Sequence, residues 1–221
     1  MTGPGAARAP DARRPGPGRP FPASFYDRDT EHVAREMLGA VLECHTESGV
    51  ASGRIVETEA YLGPHDPACH AVAGLTERTR HLHGPPGIAY VYLIYGMYWC
   101  FNAVTQPEGV GAAVLVRAVE PLDGVALMRG RRPRVRRDQD LTNGPGKLCL
   151  ALGIVGRMSG GPLDAPPVLV RRGEPVADDD VVVSPRIGIT RAADWPLRYF
   201  VRGSSYVSAT PRAFAQRPFA P

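Results

Sequence analysis

The sequence predicts a single α+β domain built on antiparallel strands. Apolar and polar residues alternate with a period of two in several short runs, and two pairs of these runs are joined by turn sequences that make hairpins. The helical patterns between them are few and short. A chain of 221 residues is long enough to bury one such core without staples.

The elements follow in order. Residues 1–20 are almost wholly Ala, Gly, Pro and Arg, with too little apolar surface to offset the entropy of ordering, so they are predicted to be a disordered basic arm. The domain proper is predicted over 21–208. Asp29 caps a helix that places Val33, Ala34, Met37 and Leu38 on one face and ends at Gly39. Strands at 41–44 and 53–61 flank Thr46-Glu47-Ser48-Gly49, a first hairpin. A polar loop spans 62–86. Strands at 89–95 and 98–105, rich in aromatic and β-branched residues, meet at Gly96-Met97 as a second hairpin with an apolar tip. A buried strand is expected at 114–119, a short helix at 122–129, and another at 147–152 entered through Gly144-Pro145-Gly146. Short strands at 168–170, 186–190 and 199–201 complete the domain, and 209–221 is read as a frayed tail rich in Pro and Ala.

The formal net charge is +4, but residues 1–20 carry Arg8, Arg13, Arg14 and Arg19 against Asp11, which leaves +1 for the rest. A polyanion-binding surface on the folded part must therefore be a local patch. Cys44, Cys69, Cys100 and Cys149 are widely spaced with no CxxC pair, which excludes a disulfide framework and a zinc ribbon and fits a reducing interior. No apolar run approaches the ~20 residues of a membrane span, and no signal-peptide core is present, so a cytoplasmic location is expected.

In Arg54-Ile55-Val56-Glu57-Thr58-Glu59-Ala60-Tyr61, the extended backbone turns Glu57, Glu59 and Tyr61 to one face. Such a face can set a general base beside an aromatic platform, or it can be a solvated strand face with Arg54 and a partner neutralising one carboxylate. The loop His65-Asp66-Pro67-Ala68-Cys69-His70 holds four candidate metal ligands, yet no second ligand pair with metal spacing exists, and histidines that hydrogen-bond or stack are the preferred reading. At the second hairpin, Tyr90 and Tyr92 share a strand face while Tyr95 and Met97 flank a turn where water normally selects polar residues. Apolar tips of this kind prise base steps open; for Tyr90, ordinary cross-strand packing is the preferred reading. Basic residues cluster at Arg78 and Arg80 and again at Arg129, Arg131, Arg132, Arg134, Arg136 and Arg137, either to follow a phosphate backbone or as solvated faces. Thr142-Asn143-Gly144-Pro145-Gly146-Lys147 is half of a helix-hairpin-helix by appearance or a plain helix cap, and it is not a Walker A loop.

Taken together, GRIVETEAYLGPHDPACHA, RTRHLHGPPGIAYVYLIYGMYWCFN, AAVLVRAVEP and LTNGPGKLCLALGI closely resemble the 3-methyladenine DNA glycosylase family that includes the mammalian alkyladenine glycosylase. The match spans most of Phe25 to Ser208, in collinear order. The resemblance implies a curved antiparallel sheet without a helix-hairpin-helix scaffold, whose hairpin enters the minor groove of double-stranded DNA. It implies Glu59 as general base, with Arg117 and the Ile187 carbonyl helping to hold its water. Tyr61, His70 and Tyr92 would enclose a flipped base, Asn102 would crowd the exocyclic amine of normal guanine, and Tyr95 would fill the gap in the stack. The expected DNA contacts are Thr76, Arg78, Arg80, Tyr95, Met97, Tyr98 and Lys147. Cys69 departs from the Ser or Ala expected there, and His81 and His83 lie in a loop that is usually more apolar.

The implied activity is monofunctional excision of damaged purines (3-methyladenine, 7-methylguanine, with hypoxanthine and ethenoadenine as further candidates), with no metal, no cofactor and a monomeric enzyme. Lys147 is the only lysine, outside the expected pocket, which argues against an amine nucleophile and lyase chemistry. Two rivals are a non-catalytic lesion-binding protein and a metal-dependent hydrolase centred on His65, Asp66, Cys69 and His70.

Overall fold

The computed structural model describes residues 18–208. Helices α1 (Ala23–Tyr26) and α2 (Thr30–Glu36) lead into β1 (Val41–Thr46) and the long β2 (Gly49–Tyr61). A second hairpin, β3 (Ala89–Ile94) and β4 (Tyr98–Thr105), precedes β5 (Ala112–Pro121). Helices α3 (Val125–Arg131), α4 (Gln139–Thr142) and α5 (Pro145–Leu152) follow, then β6 (Val168–Arg171), β7 (Val181–Ser184) and β8 (Arg198–Val201). The strands form one antiparallel sheet in the order β3-β4-β5-β2-β1-β6, with β8 joined to β2 and β7. β2 is the axis: β5 runs along one edge, while β1 and β8 divide the other, β8 taking Glu57 to Glu59.

Strand alternation gives this sheet two different faces. One buries Val91, Phe101, Ala103, Val114 and Val116 against Val33, Met37, Leu148 and Leu152 of α2, its C-cap and α5, the main core. The other carries a smaller apolar cluster of Cys69, Ala71, Leu82, Tyr90, Val104 and Ala113, with Tyr61 and Tyr92 against it. Asp29 accepts from the Glu31 and His32 N–H groups and starts α2, as the sequence predicts. Pro145 stands in the first turn of α5, where its missing N–H costs nothing, and Gly153 ends the helix at φ 84°.

Strict alternation fails at one place. Ile55 faces Val119 and Thr58 faces Val116, but between them Glu57 faces Ala118, so Val56 and Arg117 each lack an opposite residue. These two bulges switch the phase of both strands: Ile55 packs in the main core, whereas beyond the bulge Ala60 does, and Glu57, Glu59 and Tyr61 turn to the other face.

Several expected boundaries move. The 186–190 segment is a loop, not a strand, because its backbone is spent on the site described below; β7, one segment earlier, takes the place beside β8. The helix expected at 122–129 starts at Val125, since β5 continues to Pro121 and Gly124 (φ 73°) turns the chain. The first turn is Glu47-Ser48. The second takes in Tyr95 as well as the expected Gly96-Met97, and the Met97 N–H bonds to the Ile94 carbonyl. Of the predicted arm, 18–20 is bonded to the β6 edge: the Gly18 N–H reaches the Arg172 carbonyl, the Arg172 N–H reaches the Arg19 carbonyl, and Pro20 bridges Arg171. Residues 1–17 and the tail 209–221 lie outside the described residues. Among those described, no helix is long and apolar enough to cross a membrane.

Candidate functional site

The cross-strand register brings the chemistry together. Tyr90 faces Asn102, Asn102 faces Leu115, and Leu115 faces Glu59, so four strands contribute one row across the second face. Tyr92 and Cys100 form the next pair toward the hairpin tip, and Tyr61 opposes Ala113. Over this face lies a cavity of about 300 Å³. Tyr61, His70, Tyr92, Asn102, Arg117 and Ile187 all line it, six positions spread over 127 residues of chain that the fold makes neighbours.

Both carboxylates are wholly buried, which overturns the solvated-face reading of Glu57 and Glu59. Arg54, the cation that reading offered, lines a separate cleft with Glu120 and Arg202. Glu57 is a structural anion: Arg198 Nε lies 2.6 Å and Arg117 Nε 3.1 Å from Oε1, and the Ser208 hydroxyl and N–H donate at 2.7 Å each. Glu59 is held differently. The Ile187 N–H donates to Oε1 at 2.7 Å, Arg117 reaches the same oxygen at 3.2 Å, and the Tyr61 hydroxyl donates to Oε2 at 3.0 Å. Burial raises the Glu59 carboxyl above its usual range, against the opposing pull of Arg117, the Ile187 N–H and Tyr61. A carboxylate stripped of water yet kept near a cation is a stronger base than one in solvent. Arg117, freed by its bulge from a cross-strand partner, spans Glu57, Glu59 and the Ile187 carbonyl, the last at 3.4 Å. Burial works against the Arg117 cation, but Glu59 and Glu57 outweigh it and hold the charge.

The rest of the wall is aromatic. His70 and Tyr92 pack edge to face at 4.5 Å between centroids, and Tyr90 lies 5.3 Å from Tyr92. His70 Nδ1 and the Tyr90 hydroxyl share a hydrogen bond of 2.9 Å, so Tyr90, expected as simple packing, also orients His70. Burial, and then Arg78, lower the His70 pKa, which keeps the ring neutral at pH 7. Asn102 donates from Nδ2 to the Tyr90 carbonyl at 3.0 Å, which fixes the amide against the cavity.

The candidate metal loop is spent on other bonds. Asp66 is buried in a two-pronged pair with Arg186, 2.8 Å between Nη2 and Oδ1, and accepts the Leu62 and Ala68 N–H groups. The Cys69 thiol points to the Gly111 carbonyl, and His65 is exposed. Among the described residues no group of three or more His, Cys, Asp or Glu is placed to hold a metal ion.

At the hairpin tip Tyr95 is 81% exposed and Met97 68%, with Tyr98 also exposed. Tyr95 sits at φ 53° and Gly96 at φ 67°, the left-handed pair that a type I′ turn requires. For an aromatic L-residue that conformation is strained. Thr76 and Arg78 lie on the loop that leans on this hairpin: Arg78 stacks 5.7 Å over Tyr92 and donates to the Leu93 carbonyl, while the Thr76 hydroxyl is bonded to Thr79. Arg80 is paired with Glu77, and exposed Lys147 donates to Asn143. The long basic run is not the free stripe its sequence offers. Arg129 pairs with Asp138 and Arg137 with Asp140, while Arg131 and Arg132 bind carbonyls of the α4 and α5 region. His81 and His83 bond to Ser159 and to the Gly109 carbonyl.

Sequence reasoning missed Arg186, Arg198 and the role of Asp66. Arg198 had one available signal, a lone arginine inside the apolar run Leu197 to Val201, where only a buried partner makes a charge tolerable.

Comparison with known proteins gives a coherent answer. The family model described as Methylpurine-DNA glycosylase matches residues 24–205. A Myxococcus xanthus protein named "Putative 3-methyladenine DNA glycosylase" is 49% identical over 201 residues, covering 90% of this chain and 98% of its own length. Proteins of the same name from Methanoculleus marisnigri and Legionella pneumophila strain Corby are 48% and 43% identical, covering 85% and 87% of this chain and 98% and 100% of their own lengths.

Proposed function

The chain belongs to the methylpurine-DNA glycosylase family, and from that premise we propose that it is a monofunctional glycosylase of base excision repair, releasing alkylated or otherwise altered purines with a water activated by Glu59. The observation that carries this reading is the buried Glu59 carboxylate, gripped by the Ile187 N–H and Arg117 behind a tyrosine- and histidine-lined cavity.

The damaged nucleotide leaves the stack, Tyr95 takes its place, and the base enters between Tyr61, His70 and Tyr92. Extrusion costs a few kcal/mol, least where the lesion already weakens its pair. An alkylated purine carries positive charge, which the faces of Tyr61 and Tyr92 attract by ~0.5–2 kcal/mol per contact. Water held by Glu59, Arg117 and the Ile187 carbonyl attacks C1′ as the glycosidic bond breaks. The bonding pair departs with the base, Glu59 takes the water proton, and an abasic site remains without a covalent enzyme intermediate. Asn102, its amide tied to the Tyr90 carbonyl, opposes the exocyclic amine of guanine. Arg78, Thr76, Arg80, Met97, Tyr98 and Lys147 contact the DNA around the hairpin, with no helix-hairpin-helix, and the enzyme works as a cytoplasmic monomer without metal.

The test is release of free base from duplexes with a single hypoxanthine, ethenoadenine or 3-methyladenine, in EDTA, by wild type and Glu59→Gln. Wild-type release with a single-turnover rate about 10²- to 10⁴-fold lower in Glu59→Gln is expected. Full release by the variant removes Glu59 from the mechanism; binding without release by wild type makes the protein a lesion binder.

A further inference from the structure

Arg186 and Ile187 are adjacent, and together they hold three consecutive residues of β2. The Ile187 main chain donates to Glu59, and the Arg186 side chain grips the two residues that follow Glu59 in β2. Arg186 Nη1 donates to the Ala60 carbonyl at 3.0 Å, and the guanidinium carbon lies over the Tyr61 ring, 4.6 Å from its centroid. That contact occupies one face of Tyr61, so only the other is open to a stacked base. Asp66 completes the arrangement. It receives Arg186 through two bonds and takes the N–H groups of Leu62 and Ala68, the segment that leads to His70.

Three pieces of chain distant in sequence (β2, the 62–70 loop and the 185–190 loop) are thus cross-linked behind the cavity by one ion pair, both of whose side chains are fully buried. We propose that Arg186, anchored by Asp66, is a positioning residue that sets the Ile187 N–H on the Glu59 carboxylate and fixes the plane of Tyr61. The planar, bidentate contact makes Arg specific: lysine supplies the charge but neither the fork nor the stack. The proposal rests on the glycosylase reading for its effect on rate, but its geometric part stands apart from it.

The groups facing the Glu59 carboxyl are Glu57 and Tyr61 on β2, Arg117 on β5, Tyr92 on β3, Cys100 on β4 and, from the loop, the Ile187 N–H and Arg186. Losing the Ile187 donor therefore leaves the carboxyl harder to ionise. The experiment compares wild type, Arg186→Lys, Arg186→Met and the double variant Asp66→Asn with Arg186→Met, which removes both buried charges and so guards against misfolding. It measures single-turnover base release, duplex affinity, folded fraction and the ¹³C titration of the Glu59 carboxyl. The expected result is a rate about 10- to 100-fold lower at full folded fraction, affinity within about twofold, and a Glu59 titration moved to higher pH. Wild-type rate and titration overturn the proposal, as does a rate that falls only with folded fraction while the Glu59 titration stays put. Should wild type release no base, the glycosylase reading fails by itself; the Glu59 titration still decides, a shift in Arg186→Lys, which keeps the charge, supporting the positioning role and none there refuting it.

Discussion

Replacing Tyr95 separates the ring's task from the strain it imposes. The side chain is 81% exposed, so trimming it forfeits less than about 0.5 kcal/mol of packing in the free protein. Its φ of 53° is unfavourable for a residue with a Cβ. Tyr95→Ala keeps that strain and Tyr95→Gly relieves it, a difference of about 1 kcal/mol. For a domain of this size the Gly variant should melt about 2–4 °C above the Ala variant. Both lose the wedge. Aromatic–base stacking is worth about 1–3 kcal/mol, so both should bind a lesion duplex about 5- to 150-fold more weakly than the parent. Fluorescence anisotropy at fixed salt, in a Glu59→Gln background that the proposed mechanism makes slow to turn over, with matched lesion and undamaged duplexes, reads the loss. The wedge argument is refuted if either variant binds the lesion duplex within twofold of its parent, or if the undamaged duplex loses as much. Equal melting temperatures would refute the strain argument.

Three further outcomes follow from the buried charges. Glu57→Gln leaves Arg198 and Arg117 without their shared anion, a loss of about 3 kcal/mol or more, so calorimetry should show melting lowered by about 6 °C or more; a change under about 2 °C would mean that Glu59 or solvent takes over. The raised Glu59 carboxyl contributes stability that is complete below its unfolded pKa and lost as pH rises through the higher folded value. Melting of Glu59→Gln relative to wild type should therefore improve from acid to neutral pH, and a constant difference would contradict the shift. His70, with its pKa lowered by burial, contributes stability that is present above the unfolded histidine value and lost as pH falls through the folded one. His70→Gln should flatten the acid-side loss of wild type, and an unchanged acid limb would show that His70 stays neutral throughout.

Local signals carried the sheet and half of the site. Asp29 at a helix start, the alternation of β1 to β5 and the aromatic hairpin were all readable because the period of a strand and the chemistry of a cap act within a few residues. The face shared by Glu59 and Tyr61 follows from parity alone. What surrounds that face does not. Arg117 pairs with Glu57 across 60 residues, Arg186 with Asp66 across 120 and Arg198 with Glu57 across 141, and no local pattern announces such partners. The 186–190 run shows the converse error: its alternation of apolar and polar residues mimics a strand, but its N–H and C=O groups serve Glu59 and Arg117. The basic run is of the same kind, since four of its six arginines find partners that charge counting cannot see.

The paired bulges at Val56 and Arg117 act on the sheet as two offsetting insertions act on a reading frame. Upstream, β2 is read in the phase that sends Ile55 into the core; downstream, it is read in the phase that sends Tyr61 to the cavity wall and Glu59 to the same face behind it. Deleting Val56 alone throws one strand out of frame, and deleting Arg117 alone throws out the other. Deleting both restores the frame and erases the guanidinium between the two carboxylates. The register of the sheet therefore survives only if both residues go together, and the guanidinium that spans Glu57 and Glu59 goes with them, so strand register and the charge balance of the site are set by the same two insertions.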